Sequence, residues 1–160
     1  MSLEGSVVDL LKQNAFTLST AESCTGGLVS ATVINVPGAS EVTGCSIVTY
    51  SNRAKRKYLG VKRSTLKKHG AVSVKCAKEM AKGICRQTGA DVGIATTGIA
   101  GPDGGSKDKP VGLVYIAVCV KKKTKVKKFI FSGDRAQVRK QSVEAALKLA
   151  RKCLKELKDE

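Results

Sequence analysis

The chain has no tryptophan and only three tyrosines, three phenylalanines, three prolines and one histidine among its 160 residues. Each scarcity excludes something. So few aromatic rings leave little for the stacking platforms on which single-strand nucleic-acid binders hold bases. A lone histidine, His69, and six cysteines at 24, 45, 76, 85, 119 and 153 without a CxxC pair rule out the ligand spacing of a structural zinc site. Three prolines beside 16 glycines exclude a collagen-like chain. No apolar run approaches the length of a membrane span, and the start has neither the basic flank nor the apolar core of a signal peptide. The scattered cysteines therefore read as reduced thiols of a cytoplasmic protein. The opening MSLEGS, a cloning remnant or a natural start, carries no weight.

Acid is the other shortage: 13 Asp+Glu stand against 29 Lys+Arg, for a net charge of +16. What is present, 42% hydrophobic and 26% charged residues, suits one compact folded domain. The positive surplus is regional. Between Arg53 and Arg86 twelve basic residues face one acid, Glu79, and Lys121, Lys122, Lys123, Lys125, Lys127 and Lys128 add six more with no acid among them. These stretches hold 18 of the 29 basic residues, leaving 11 basic against 12 acidic elsewhere. A field of that sign draws phosphates, nucleic acid or acidic membranes. A solvated lysine face, nucleic-acid contact and steering of small anions all fit it, and the scarcity of aromatics argues against the second.

Residues 7–14 read as a short helix and 16–20 as a strand with apolar residues at 16 and 18. Residues 21–27 are small and polar and lead into a buried helix over 28–36, apolar around most of its circumference, that Pro37-Gly38 ends. A second strand is expected over 43–50, then a helix starting near Arg53, capped by Ser51 and stopped by Gly60. Ser73 caps a further helix with Cys76, Ala77, Met80, Ala81, Ile84 and Cys85 on one stripe and Gly89 as its stop. Residues 91–97 have the short apolar run of a central parallel strand, and a glycine-rich loop, 98–105, follows at once. Residues 111–120 and 125–132, joined by a lysine turn, read as a hairpin, which makes the fourth strand antiparallel. Asp134 with Gln137 forms a capping box for a closing helix whose inward face is Val138, Ser142, Ala145, Ala146, Leu149, Cys153 and Leu157. Without repeats or long linkers, this order predicts a single three-layer α/β/α domain.

Ligands of open parallel sheets bind beyond the carboxyl ends of the strands. Three unusual segments, 22–27, 50–55 and 98–105, each follow a predicted strand, and a spatial order 2-1-3 would make them neighbours. The first sets Ser23, Cys24 and Thr25 at a helix start, where free amides favour an anion or a developing oxyanion, and Gly26 and Gly27 allow a ligand close to the backbone. Plain helix capping is the competing reading. Neither GxxxxGK[ST] nor GxGxxG is present, which argues against a P-loop nucleotidase. A hydroxyl nucleophile needs a base. His69, among lysines just before a helix-ending Gly70, reads as an exposed helix end, which weakens a Ser-His-Asp triad. A lysine serves instead if desolvation and neighbouring cations lower its pKa, and Lys55 is the candidate, against its reading as one more solvated lysine beside Arg53, Arg56 and Lys57. Cys24 is an alternative nucleophile or a small buried apolar residue. Thr97, Gly98, Gly101, Gly104 and Gly105 can wrap a phosphate or ribose, or form an ordinary mobile loop; Arg135 and Arg139 can pair with a phosphate or lie on the surface.

With Thr20-Ala21-Glu22-Ser23-Cys24-Thr25-Gly26-Gly27, Val48-Thr49-Tyr50-Ser51-Asn52 with Lys55 and Leu59-Gly60-Val61, Gly70-Ala71-Val72-Ser73, Thr97-Gly98-Ile99-Ala100-Gly101-Pro102 with Gly104-Gly105, and Lys109-Pro110-Val111-Gly112, the chain closely resembles the C-terminal domain family of the competence/damage-inducible protein CinA. The resemblance runs from about residue 7 to 155 in unbroken order. It implies a mixed five-stranded α/β/α sandwich with strand four antiparallel, and an amidohydrolase that turns nicotinamide mononucleotide and water into nicotinate mononucleotide and ammonia. By the same resemblance Ser23 is the nucleophile and Lys55 its base, Tyr50 supplies a hydroxyl that assists the serine or the developing charge, and Thr97 and Arg135 lie near the ligand. No metal and no cofactor is implied. The expected partners are a small pyridine nucleotide and further copies of the chain, with no membrane and with nucleic acid not favoured. Many members carry this domain behind a nucleotide-pyrophosphatase domain that this sequence lacks, so coupling to a second reaction in cis is not expected. The alternative is a non-catalytic nucleotide- or RNA-binding domain that uses the basic face, and the lysine runs are heavier than the resemblance leads one to expect.

Overall fold

The computed structural model describes residues 1–159. Five strands, β1 (Leu18–Glu22), β2 (Ile47–Val48), β3 (Val92–Gly98), β4 (Leu113–Val120) and β5 (Lys123–Ile130), form one mixed sheet in the order β2-β1-β3-β4-β5. β1 runs parallel to β2 and β3, and β4 runs antiparallel to β3 and β5, as the hairpin reading requires. Six helices cover it: α1 (Leu3–Gln13), α2 (Leu28–Val33), α3 (Asn52–Leu59), α4 (Arg63–His69), α5 (Val74–Thr88) and α6 (Arg135–Glu156).

The period-2 alternation of a strand divides the interior in two. From β4, Val114, Ile116, Val118 and Val120 enter a core with α1, α2 and α6, while Tyr115, Ala117 and Cys119 meet α3 and α5 on the other face. Side-chain caps from Ser51, Ser73 and Asp134 start α3, α5 and α6, and the Asp134–Gln137 capping box is complete. Ala145 is only partly buried, and Leu157 falls beyond the end of α6.

Several boundaries differ from the sequence reading, each for a local reason: β4 starts at Leu113 rather than 111, and β5 spans Lys123–Ile130 rather than 125–132 because Lys121 and Lys122, both at positive φ, make the turn by themselves. Residues 1–6 are part of the fold: Ser2 caps α1, its hydroxyl accepting from the Gly5 amide, so the first helix begins ahead of residue 7. β1 lies two residues later than 16–20, because the Thr17 amide donates to the Asp91 carboxylate while Ala21 and Glu22 join the ladder. The second strand shrinks from 43–50 to two residues at the sheet edge. The Ser46 hydroxyl accepts the Thr20 amide at 3.1 Å where a backbone carbonyl would continue the ladder. The 28–36 helix ends at Val33 and is not buried all round: only Val29 and Val33 face the core, and Ile34 is 61% exposed.

Candidate active site

Alternation also aims the site. The Ser23 amide donates to the Thr96 carbonyl at 3.0 Å, which extends the β1–β3 ladder by one residue, so Glu22 and Ser23 point to opposite faces. Glu22 goes toward α2. Its carboxylate, 1% exposed, accepts from the Thr20 and Thr25 hydroxyls and from the amides of Gly27, Val29 and Ser30. This corrects the sequence reading of the α2 start as an anion site, since Glu22 already takes its amides. The Thr25 hydroxyl lies between Glu22 at 2.6 Å and Thr96 Oγ1 at 2.7 Å, fully buried. Gly26 and Gly27, at φ +58° and +102°, make the left-handed turn that L side chains strain to adopt. The Arg139 guanidinium clamps this turn through the Cys24 and Thr25 carbonyls, both at 3.1 Å, rather than standing free for a phosphate.

Ser23, 8% exposed, faces Lys55 on the other side of the sheet. Lys55 and Leu59, one helical turn apart, are the buried face of α3, and Gly83 of α5 is what lets that face in: a Cβ there would sit 2.0 Å from the Leu59 carbonyl oxygen. Lys55 Nζ lies 2.9 Å from Ser23 Oγ, 3.0 Å from the Thr49 carbonyl and 3.3 Å from the Tyr50 carbonyl. The residue is 1% exposed, and no carboxylate pairs with it among the described residues. Burial lowers its pKa below the ordinary lysine value of 10.5, while the Cys76 and Cys24 sulfurs pull the other way. Desolvation, not cationic crowding, is the cause, since Arg53, Arg56 and Lys57 are exposed on the opposite side of α3.

Ser23 and Lys55 open into a cavity of about 260 Å³ that Cys24, Tyr50, Thr97, Gly98, Gly101 and Arg135 also line. Of the candidates named from the sequence, Gly104 lines it as well, while Thr25, Gly26, Gly27, Gly105 and Arg139 do not. Thr97 ties the end of β3 to the α4–α5 connection, its hydroxyl donating to the Ala71 carbonyl at 2.9 Å. Tyr50 is 61% exposed, and its phenol accepts from Arg135 Nη2 at 3.0 Å at the rim rather than touching Ser23. Arg135 Nη1 donates to the Gly101 carbonyl at 2.8 Å, which joins the 98–105 loop to the start of α6. Cys24 is no thiolate: burial pushes its pKa up to about 11, against the lowering expected at a helix start. His69 is exposed at the end of α4. Among the described residues no cluster of His, Cys, Asp and Glu is placed to hold a metal, and no helix is long and apolar enough to cross a membrane.

Glu22 and Arg139 are the residues that sequence reasoning missed as builders of the turn. The available signal was a carboxylate within a run of small residues, immediately before a glycine turn into a helix. With this geometry in view, residues 1–154 match the family model of the CinA C-terminal domain. The chain belongs to that family. A CinA-like protein of Kosmotoga olearia is 52% identical over 153 residues, which cover 96% of this chain and 37% of that protein. The CinA domain thus spans well under half the length of the curated relatives it matches. Among solved structures, a CinA superfamily protein of Klebsiella pneumoniae superposes with a TM-score of 0.93 at 36% identity, covering 96% of both chains. The competence/damage inducible protein CihA of Agrobacterium tumefaciens gives 0.90 at 38% identity, covering 92% of this chain and 90% of that one. The mixed α/β fold is therefore the CinA fold.

Proposed function

We propose that this CinA domain is a Ser-Lys amidohydrolase that converts nicotinamide mononucleotide and water to nicotinate mononucleotide and ammonia. The observation that carries the reading is the Lys55 amine, buried without a carboxylate and 2.9 Å from Ser23 Oγ. A passive nucleotide binder has no use for an uncompensated amine at that depth, and a hydroxyl nucleophile requires one.

The three neighbours of Nζ suit both protonation states of the amine. Neutral Lys55 donates its two N–H bonds to the Thr49 and Tyr50 carbonyls and turns its lone pair to the Ser23 hydroxyl; protonated, it donates to all three. Ser23 attacks the carboxamide carbon as Lys55 takes its proton. The amide of Cys24, the residue after the nucleophile, is the donor for the oxyanion. Protonated Lys55 then gives its proton to the departing ammonia. Water attacks the acyl-enzyme with Lys55 again as base, and the products are the carboxylate and ammonium. Arg135 spends two N–H groups on Gly101 and Tyr50, and the rest of its fork can take a substrate phosphate at the rim.

Ammonia release from nicotinamide mononucleotide by the purified protein tests the reading. Ser23→Ala is expected to lower kcat by at least about 10³-fold without unfolding the protein. Wild-type turnover in Ser23→Ala would sink the serine assignment.

A further inference from the structure

The cysteines are scattered in sequence, but the fold brings two of them side by side at the amino end of β3, away from Ser23 at its carboxyl end. Gly93 of β3 pairs directly with Cys119 of β4. A Cβ on Gly93 would stand 2.7 Å from Cys85 Sγ and 2.6 Å from the Ala81 carbonyl, so α5 rests on the bare glycine and the Cys85 sulfur fills the space above it. Directly paired antiparallel residues hold their Cβ positions ~5 Å apart on one face. The Cys85 sulfur thereby lies beside the Cys119 side chain, within the core that α5 forms on the sheet. The proximity of the two thiols holds Cys119 below and Cys85 above the ordinary thiol pKa. Cys119 is buried and Cys85 half-buried, so Cys85 is the outer member. Both line a cavity of about 580 Å³ whose other walls include Lys82, Arg86, Lys121 and Lys122 against one carboxylate, Asp91.

We propose that Cys85 and Cys119 are a redox-reactive dithiol that an anionic low-molecular-weight disulfide oxidises to an intramolecular disulfide. The Cys85 thiol passes its proton to the neighbouring Cys119 thiolate as its sulfur attacks the reagent R–S–S–R, forms a mixed disulfide and releases one R–S⁻, which takes that proton in turn. The Cys119 thiolate then attacks the Cys85 sulfur and releases the second. The protein loses two hydrogens and two electrons, and the reagent leaves as two R–SH. The product staples α5 to β4. The cations of the cavity favour a carboxylate-bearing reagent. This site is independent of the amidase reading.

Oxidised glutathione is the probe, with alkylation of remaining thiols followed by non-reducing peptide mapping. A Cys85–Cys119 peptide lacking two hydrogens is expected in the native wild-type protein. Cys119→Ala should stop at a mixed disulfide on Cys85. Reaction confined to exposed Cys45, with Cys85 and Cys119 both alkylated in the wild type, overturns the proposal whatever the variant does. Lys82→Glu with Lys122→Glu is expected to slow oxidation by glutathione disulfide about tenfold and leave a neutral disulfide such as bis(2-hydroxyethyl) disulfide unaffected. Equal slowing of both reagents would overturn the role of the cations.

Discussion

A lysine at a core position destabilises the protein that carries it, and that cost can be measured apart from any activity. In the unfolded chain Lys55 titrates at the ordinary value of 10.5, and in the native state burial sets it lower. Between those two values the unfolded chain holds a proton that the native state does not, so stability rises with pH across that window. Below the native value the full cost of the buried amine is present; above 10.5 it is gone. Lys55→Met is therefore expected to be inactive yet to melt at a higher temperature than wild type at neutral pH, with the gap closing as pH approaches 10.5. Thermal melts of both proteins over a pH series check this, and a wild-type protein more stable than Lys55→Met at neutral pH would contradict it. Ser23 and Lys55 were legible as candidates because each follows a strand end and together they supply a nucleophile and a base. The depth of Lys55 was not legible, since its neighbours in sequence are the exposed Arg53, Arg56 and Lys57. Glu22 was hidden for a related reason: acids are read as surface, and this one is solvated by five donors inside the protein.

Helix caps and stops were legible because they act within a few residues, as Ser51 and Gly60 do at the two ends of α3. What α3 packs against was not, because it depends on a residue 24 positions further along than Leu59, Gly83 of α5. There the two helices meet through bare backbone, and Arg86 Nη2 adds a bond to the Leu59 carbonyl at 3.2 Å. A methyl at Gly83 has to push α3 away from the sheet and carry Lys55 with it. Gly83→Ala is expected to cost about 1–3 kcal/mol in denaturant unfolding. If the amidase reading holds, it should also lower kcat while the protein is still fully folded, because the Ser23–Lys55 distance opens. Unchanged stability in Gly83→Ala would show that the α3–α5 contact is looser than this packing requires. The truncated β2 follows the same logic, since a side-chain oxygen from Ser46 replaced a ladder acceptor, and strand propensity carries no mark of such a substitution.

Over the whole molecule, the two interior cores are set by ordinary alternation, while the charge of +16 sits outside them, on the exposed faces of α3, α4 and α5 and along the edge strand β5. Among residues 53–86 only Lys55 of the basic set is buried, so the surplus is not spent on packing the core. A field of this kind acts at a distance, and only on ligands that carry charge. Under the amidase reading it raises the encounter rate of a phosphate-bearing substrate and leaves the chemical step at Ser23 alone. Raising salt to physiological ionic strength, where the Debye length is ~8 Å, is then expected to lower kcat/KM for nicotinamide mononucleotide by about threefold with kcat unchanged. Nicotinamide riboside, the same carboxamide without the phosphate, should show no such fall. Ammonia release from both substrates across a salt series separates the cases. A loss shared equally by this phosphate-free, cationic substrate, which the field repels, would point to an effect on the protein rather than on encounter, and a flat response for both would leave the lysines as a solvated face without a share in substrate capture.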